Sequence, residues 1–247
     1  MAIEDFKEEF DQHLKTEHRS GTVSEHLKEI VYGGNDGIIT TFAVIAGFAG
    51  ANNQDAGSIA LWTVLLFGLA NLLADGTSMG LGDFLSVRSQ KEVYKKSKNK
   101  ELAEIKNNPE FEKKETTYLL KQKGFNDEDA KKITELYSNN KKYWVEFMMN
   151  HELEIPNPES ENALRNAVAT FISFVTFGSI PLIPFVVFQD ASLAFNYSIV
   201  ATVLALIILG FVRGYTTKEN KLKSVLEIVF VGGIAGSVAF SVGYLFR

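Results

Sequence analysis

Long apolar stretches alternate with densely charged ones along this chain of 247 residues. A hydrocarbon core of ~30 Å takes ~20 mostly apolar helical residues. Residues 30–51, 59–87, 167–188, 191–212 and 225–246 each meet that length. The second stretch is longer than a bilayer requires, which predicts a helix that runs on into water. Pro181 and Pro184 predict a bend in the third, tolerable where neighbouring helices satisfy the freed backbone groups. Residues 1–29 and 88–165 are polar. In 88–165 the pattern predicts amphipathic helices, broken at Asn108-Pro109 and ended at Gly124, with a fresh start at Asn126 ahead of Asp127 and Glu128.

The basic residues orient these spans. The links at 52–58 and 189–190 hold no Lys or Arg, whereas the N-terminal arm has Lys7, Lys15, Arg19 and Lys28, and the last link has Arg213, Lys218, Lys221 and Lys223. With the N-terminus in the cytoplasm, all 25 basic residues except the terminal Arg247 fall on the cytoplasmic side. An odd number of spans and so lopsided a distribution support each other. The prediction is an all-α, five-span bundle with four parts: a cytoplasmic arm (1–29), spans one and two (30–87), a cytoplasmic helical insert (88–165) and spans three to five (166–247).

Composition narrows the chemistry. There is no cysteine, which excludes disulfides, thiolate zinc sites and cysteine nucleophiles. Neither a Gly-x-Ser-x-Gly elbow nor a His-Glu-x-x-His helix is present, so a hydrolytic enzyme has no support, and no organic cofactor is implied. The net charge is −5 and lysines alternate with acids, so no patch for nucleic acid stands out. The first residues lack a basic-then-apolar signal peptide, and insertion is expected to use the internal spans.

Asp36 and the pair Asp75/Met79 lie within otherwise apolar spans. A carboxylate in hydrocarbon costs at least ~2.5–3.5 kcal/mol and marks a partner, a cavity or an ion path. Asn71, Asp75, Met79 and Asp83 are spaced four apart and line one helical face, opposite Leu and Phe. Asp36 and Thr40 form a one-turn pair in the first span. If these faces meet, they assemble carboxylate oxygen, amide oxygen, hydroxyl and thioether, and the thioether favours a softer transition ion such as Fe2+ over Mg2+ or Ca2+. Glycines flank both sites (Gly33, Gly34, Gly37; Gly76, Gly80, Gly82) and allow close helix packing in lipid.

The insert repeats acids at i,i+3: Glu101/Glu104 and Glu112/Glu115. Each pair can present both carboxylates from one helical face, as in helical metal sites. Met148 and Met149 precede Glu152 by a turn, and two adjacent methionines are not expected to face one core. His13, His18, His26 and His151 are expected to be exposed.

Several ordered motifs carry a family resemblance from about Glu25 to the C-terminus. The run from Tyr32 through Gly33-Gly34-Asn35-Asp36-Gly37 to Gly47 resembles the first span of the vacuolar iron transporter family. Ser78-Met79-Gly80-Leu81-Gly82-Asp83-Phe84-Leu85 resembles its second-span motif. Trp144 to Met149, with Glu152-Leu153, resembles the end of its cytoplasmic domain, and Pro181-Leu182-Ile183-Pro184 also fits. The resemblance implies a homodimer that exports Fe2+, often also Mn2+, from the cytoplasm in exchange for protons. It implies transport roles for Asp36 and Met79, and metal collection by Glu101, Glu104, Glu112, Glu115, Met148, Met149 and Glu152. One position departs: plant-type members carry a glutamate two turns before the methionine, where this chain has Asn71 and, one turn nearer, Asp75.

The expectation is therefore an integral membrane transporter in which the insert gathers the ion and Asp36, Asp75 and Met79 pass it on, with protons competing for the same oxygens. The alternative is a membrane-anchored metal sensor or buffer that moves nothing. The short arm points to a prokaryotic plasma membrane, or to the vacuolar membrane if the source is eukaryotic.

Overall fold

The computed structural model describes residues 3–13, 26–51 and 57–245. Lys15, Arg19, His18, Arg247 and most of the 52–58 link lie outside them. Among the described residues every regular element is a helix: α1 (Ile3–His13), α2 (Leu27–Ala51), α3 (Gly57–Asn107), α4 (Pro109–Gln122), α5 (Asp127–Ser138), α6 (Lys141–His151), α7 (Ala163–Ser179), a 3-10 turn (Ile180–Leu182), α8 (Ile183–Val187), α9 (Ala191–Thr216) and α10 (Lys221–Leu245). Four helical segments are long and apolar enough to cross a membrane: those starting at Leu61, Ala163, Ala191 and Lys221. α2 has comparable length, 25 residues, but it is not among them; Asn35 and Asp36 interrupt its apolar run.

The chain divides into two compact units, residues 1–83 with 164–247, and residues 84–163. In the first, α2 packs against α9 and α10, which also pack on each other. Glycine sets how closely helices approach. A methyl group at Gly33 would lie 2.8 Å from the Thr170 carbonyl, and one at Gly37 would overlap the backbone of Phe174. α2 and α7 thus touch backbone to backbone, and the Ser173 hydroxyl donates to the Ile30 carbonyl at 2.8 Å. The predicted bend is a break. Pro184 has no N–H to return to Ile180, and the Ile180 carbonyl instead accepts from Ile183 in a 3-10 turn. The Pro181 carbonyl accepts from Ser198 on α9 at 2.7 Å.

In the second unit Tyr94, Ile105, Leu120, Trp144, Val145, Met148 and Met149 share one core. Its helices start where local chemistry directs. Pro109 opens α4, the Asn126 side chain accepts from the Asp129 N–H to cap α5, and Asn140 caps α6 through the Tyr143 N–H. Gly124 takes φ +100°, a left-handed geometry that side chains resist.

Two expectations are corrected. Met148 and Met149 are both fully buried in this one core, because α6 is enclosed on several sides and Trp144, Val145 and Phe147 are buried with them. His26 is not exposed: both its ring nitrogens are buried, with Nδ1 3.8 Å from Glu29 Oε2. His13 and His151 are exposed.

Candidate functional site

Three carboxylates converge in the second unit. Glu101 comes from α3, Glu112 from α4, and Glu152 follows the end of α6. One oxygen from each lies within 4.8 Å of the others. Oxygens trans across a small divalent ion bound at ~2.1 Å stand about 4.2 Å apart, so modest side-chain rotation closes the set. Glu101 and Glu112 are only 2% and 3% exposed, and Glu101 Oε1 and Glu112 Oε2 have no hydrogen-bond partner in the protein. Buried acceptors of this kind are costly unless something positive reaches them. They open on a cleft of about 320 Å3 whose walls include Glu104, Glu115, Lys100 and Ser97.

Burial, and then the Glu152 charge, push the Glu101 carboxyl up to about 8. Burial raises Glu112 as well, with the neighbouring Glu101 opposing. Burial and the charges of Glu115, Glu112 and Glu104 push Glu152 up to about 7, with Lys100 opposing. Burial and Glu104 raise Glu115. Near neutrality the nest therefore holds protons, which any cation bound there would displace.

The i,i+3 spacing brings Glu104 and Glu115 to the cleft walls, not to its centre, and Glu104 lies 3.5 Å from the Lys100 ammonium. The methionines do not line the cleft; both are fully buried in the core of this unit. Met148 Sδ accepts from Thr116 at 3.3 Å, and Thr116 is one turn from Glu112 on α4. Trp144 Nε1 donates to the same Thr116 hydroxyl at 2.7 Å. Sequence reasoning passed over Thr116, Lys100 and Ser97. For Lys100 and Ser97 the available signal was their i,i+4 spacing to Glu104 and Glu101.

In the first unit the polar stripe of α3 is half-buried throughout: Asn71, Asp75, Met79 and Asp83 alternate with exposed Leu73, Leu81 and Leu85. Asn71 Nδ2 donates to Asp75 Oδ2 at 2.8 Å, so its donor end, not its oxygen, is turned to the carboxylate. Asp75 lies within electrostatic range of Asp36 on α2. Thr40 Oγ1 donates to the Asp36 backbone carbonyl at 2.8 Å, so its proton stays on its own helix. Met79 packs against the core around Phe174. Asp83 Oδ2 accepts from Thr170 of α7 at 3.0 Å.

Residues 27–244 match the VIT family. The chain belongs to the VIT family. The VIT match spans α2 through nearly all of α10, and so contains both clusters. Relatives similar to this VIT chain agree over nearly its whole length. The vacuolar iron transporter of Toxoplasma gondii is 35% identical over 94% of this chain and 78% of its own. Vacuolar iron transporter 1 of Arabidopsis thaliana is 33% identical over 97% and 93%, and the vacuolar iron transporter of Plasmodium falciparum 32% over 98% and 89%.

Proposed function

We propose that this chain is a proton-coupled exporter of Fe2+, and of Mn2+, working as a homodimer of five-span subunits with the N-terminus in the cytoplasm. The observation that carries the reading is the nest of Glu101, Glu112 and Glu152, with buried oxygens that lack a partner, in a chain that also sets Asp36 and Asp75 within electrostatic range. Membership of the VIT family and relatives named vacuolar iron transporter support iron as the cargo.

α2 supplies the fifth span; its polar Asn35-Asp36 step is the cost of placing a carboxylate on the path. The insert, residues 88–165, works on the cytoplasmic side. There the nest takes the ion by releasing its protons, Glu104 and Glu115 raise the local negative charge, and Met148 and Met149 back the carboxylates with polarisable sulfur. The ion then moves to Asp36, Asp75 and Met79, with Thr40 and Asn71 beside them. Protons that replace it on these carboxylates travel inward. The membrane is a prokaryotic plasma membrane or, in a eukaryote, the vacuolar one.

The test is anaerobic Fe2+ flux into proteoliposomes carrying internal metal and pH dyes, for wild type, Asp36→Ala and Met79→Leu. Opposed metal and proton movement, lost in Asp36→Ala, is the expected result. Met79→Leu keeps volume and removes sulfur, and should lower Fe2+ flux relative to Mn2+. Binding without flux under any imposed pH gradient would instead establish the anchored sensor or buffer.

A further inference from the structure

A second cavity lies in the first unit, well apart in sequence from the carboxylate nest. It is a groove of about 750 Å3 between the start of α2, the end of α9 and the first turns of α10. Its walls are apolar along Val31, Ile228 and Val231, and its polar rim carries Lys28, Arg213 and Glu227. The rim is positive. Glu227 accepts from Arg213 Nη1 at 3.1 Å and also faces Lys223 Nζ at 4.0 Å, so two cations share one carboxylate, and Lys28 stands on the same rim. Arg213 has five N–H donors and gives Glu227 only one end of its fork.

An apolar trough under a basic rim suits neither a hydrated metal ion nor a free anion. It suits an amphiphile with a phosphate at one end, as basic pockets between spanning helices do for acidic headgroups. We propose that this groove holds one anionic phospholipid, its phosphate at Lys28 and Arg213 and its chains along Val31, Ile228 and Val231. The inference rests on the membrane placement proposed above and not on the metal chemistry.

The experiment mixes detergent-purified full-length protein with phosphatidylglycerol or phosphatidylcholine and counts retained lipid by native mass spectrometry. Wild type should retain phosphatidylglycerol in preference. Lys28→Gln and Arg213→Gln should each lower that retention about fivefold, while Arg213→Lys, which keeps the charge, restores most of it. Val231→Trp should fill the trough and expel lipid of either kind.

Equal retention of both lipids by wild type would overturn the proposal, as would unchanged retention in the double Gln variant. Displacement by millimolar inorganic phosphate would mean a soluble-anion site instead. A Val231→Trp chain that becomes monomeric while keeping its lipid would assign the groove to a second copy. Failure to float with vesicles of either lipid would overturn this proposal and the membrane placement together, whereas loss of metal flux alone has no bearing on lipid retention.

Discussion

Asn71 Nδ2 stands 2.8 Å from Asp75 Oδ2, one turn further along the same helix. The bond orients the carboxylate by its Oδ2 and leaves Oδ1 for another partner. In the transport function proposed above, Asn71 thereby acts on the ion path through Asp75. A hydrogen bond to a charged group contributes ~1.5–3 kcal/mol, so Asn71→Leu should cut Fe2+ flux roughly ten- to a hundredfold. In an Asp75→Ala background the same change should add less than about twofold, because the group it orients is gone. Additive losses across the cycle would show that Asn71 contacts the ion directly or serves only the fold.

Gly37 faces the Phe174 backbone with no room for a side chain, whereas a methyl group at Gly82 would have nothing within 4 Å. Gly37→Ala forces α2 and α7 apart and should cost roughly 1–3 kcal/mol, a fall of several degrees in Tm in detergent. Gly82→Ala meets open space and improves helix propensity by ~1 kcal/mol, so its Tm should hold or rise. Equal Tm values for the two variants would contradict the contact.

The carboxylate nest makes stability depend on pH in a definite direction. Glu101 and Glu152 are raised from 4.5 to about 8 and about 7. An acid that keeps its proton in the folded chain but loses it in the unfolded one stabilises fully below its unfolded pKa, and that contribution disappears as pH rises through the folded value. The metal-free Tm should therefore fall between pH 4.5 and 8, and Mn2+ should recover it most at the upper end. Glu101→Gln cannot ionise and should flatten the curve. A wild-type profile parallel to that of Glu101→Gln would refute the assignment.

Thr116 receives the Trp144 indole N–H at 2.7 Å, and its own proton points at the Glu112 carbonyl, 2.8 Å away, or at Met148 Sδ. Thr116→Val preserves shape but leaves a buried N–H without an acceptor, at about 1–3 kcal/mol. Urea unfolding of the full chain should register that loss. Thr116→Ser, which restores the hydroxyl, should recover most of it, and a Ser variant no better than Val would place the effect in packing instead.

Much of the helical plan was legible because its signals are local. Pro181 and Pro184 withhold backbone donors, Pro109 opens a helix, and Asn126 offers an oxygen to the Asp129 N–H within its own turn. The second apolar stretch does run on as a helix, to Asn107. Tertiary choices left no such mark. Spacing proposed Glu101 with Glu104 and Glu112 with Glu115, but two helices and the residue just past the end of a third bring Glu101, Glu112 and Glu152 together. The burial of Met148 beside Met149 depends on what surrounds α6, and whether Asn71 offers oxygen or nitrogen depends on its rotamer. An apolar run carrying Asp36 announces itself by what it should not contain; the partner of a buried Glu101 does not.

The contact between Gly37 and Phe174 also sets a schedule. A ribosome that has finished α2 must still make the rest of the chain as far as α7, including the entire charged insert, before the matching surface exists. At ~5–20 residues per second that interval is roughly six to twenty-five seconds. Through all of it the glycine face of α2 and its acidic step stand without their mate. One of the tightest seams of the finished fold is thus left open long after its first half has been made.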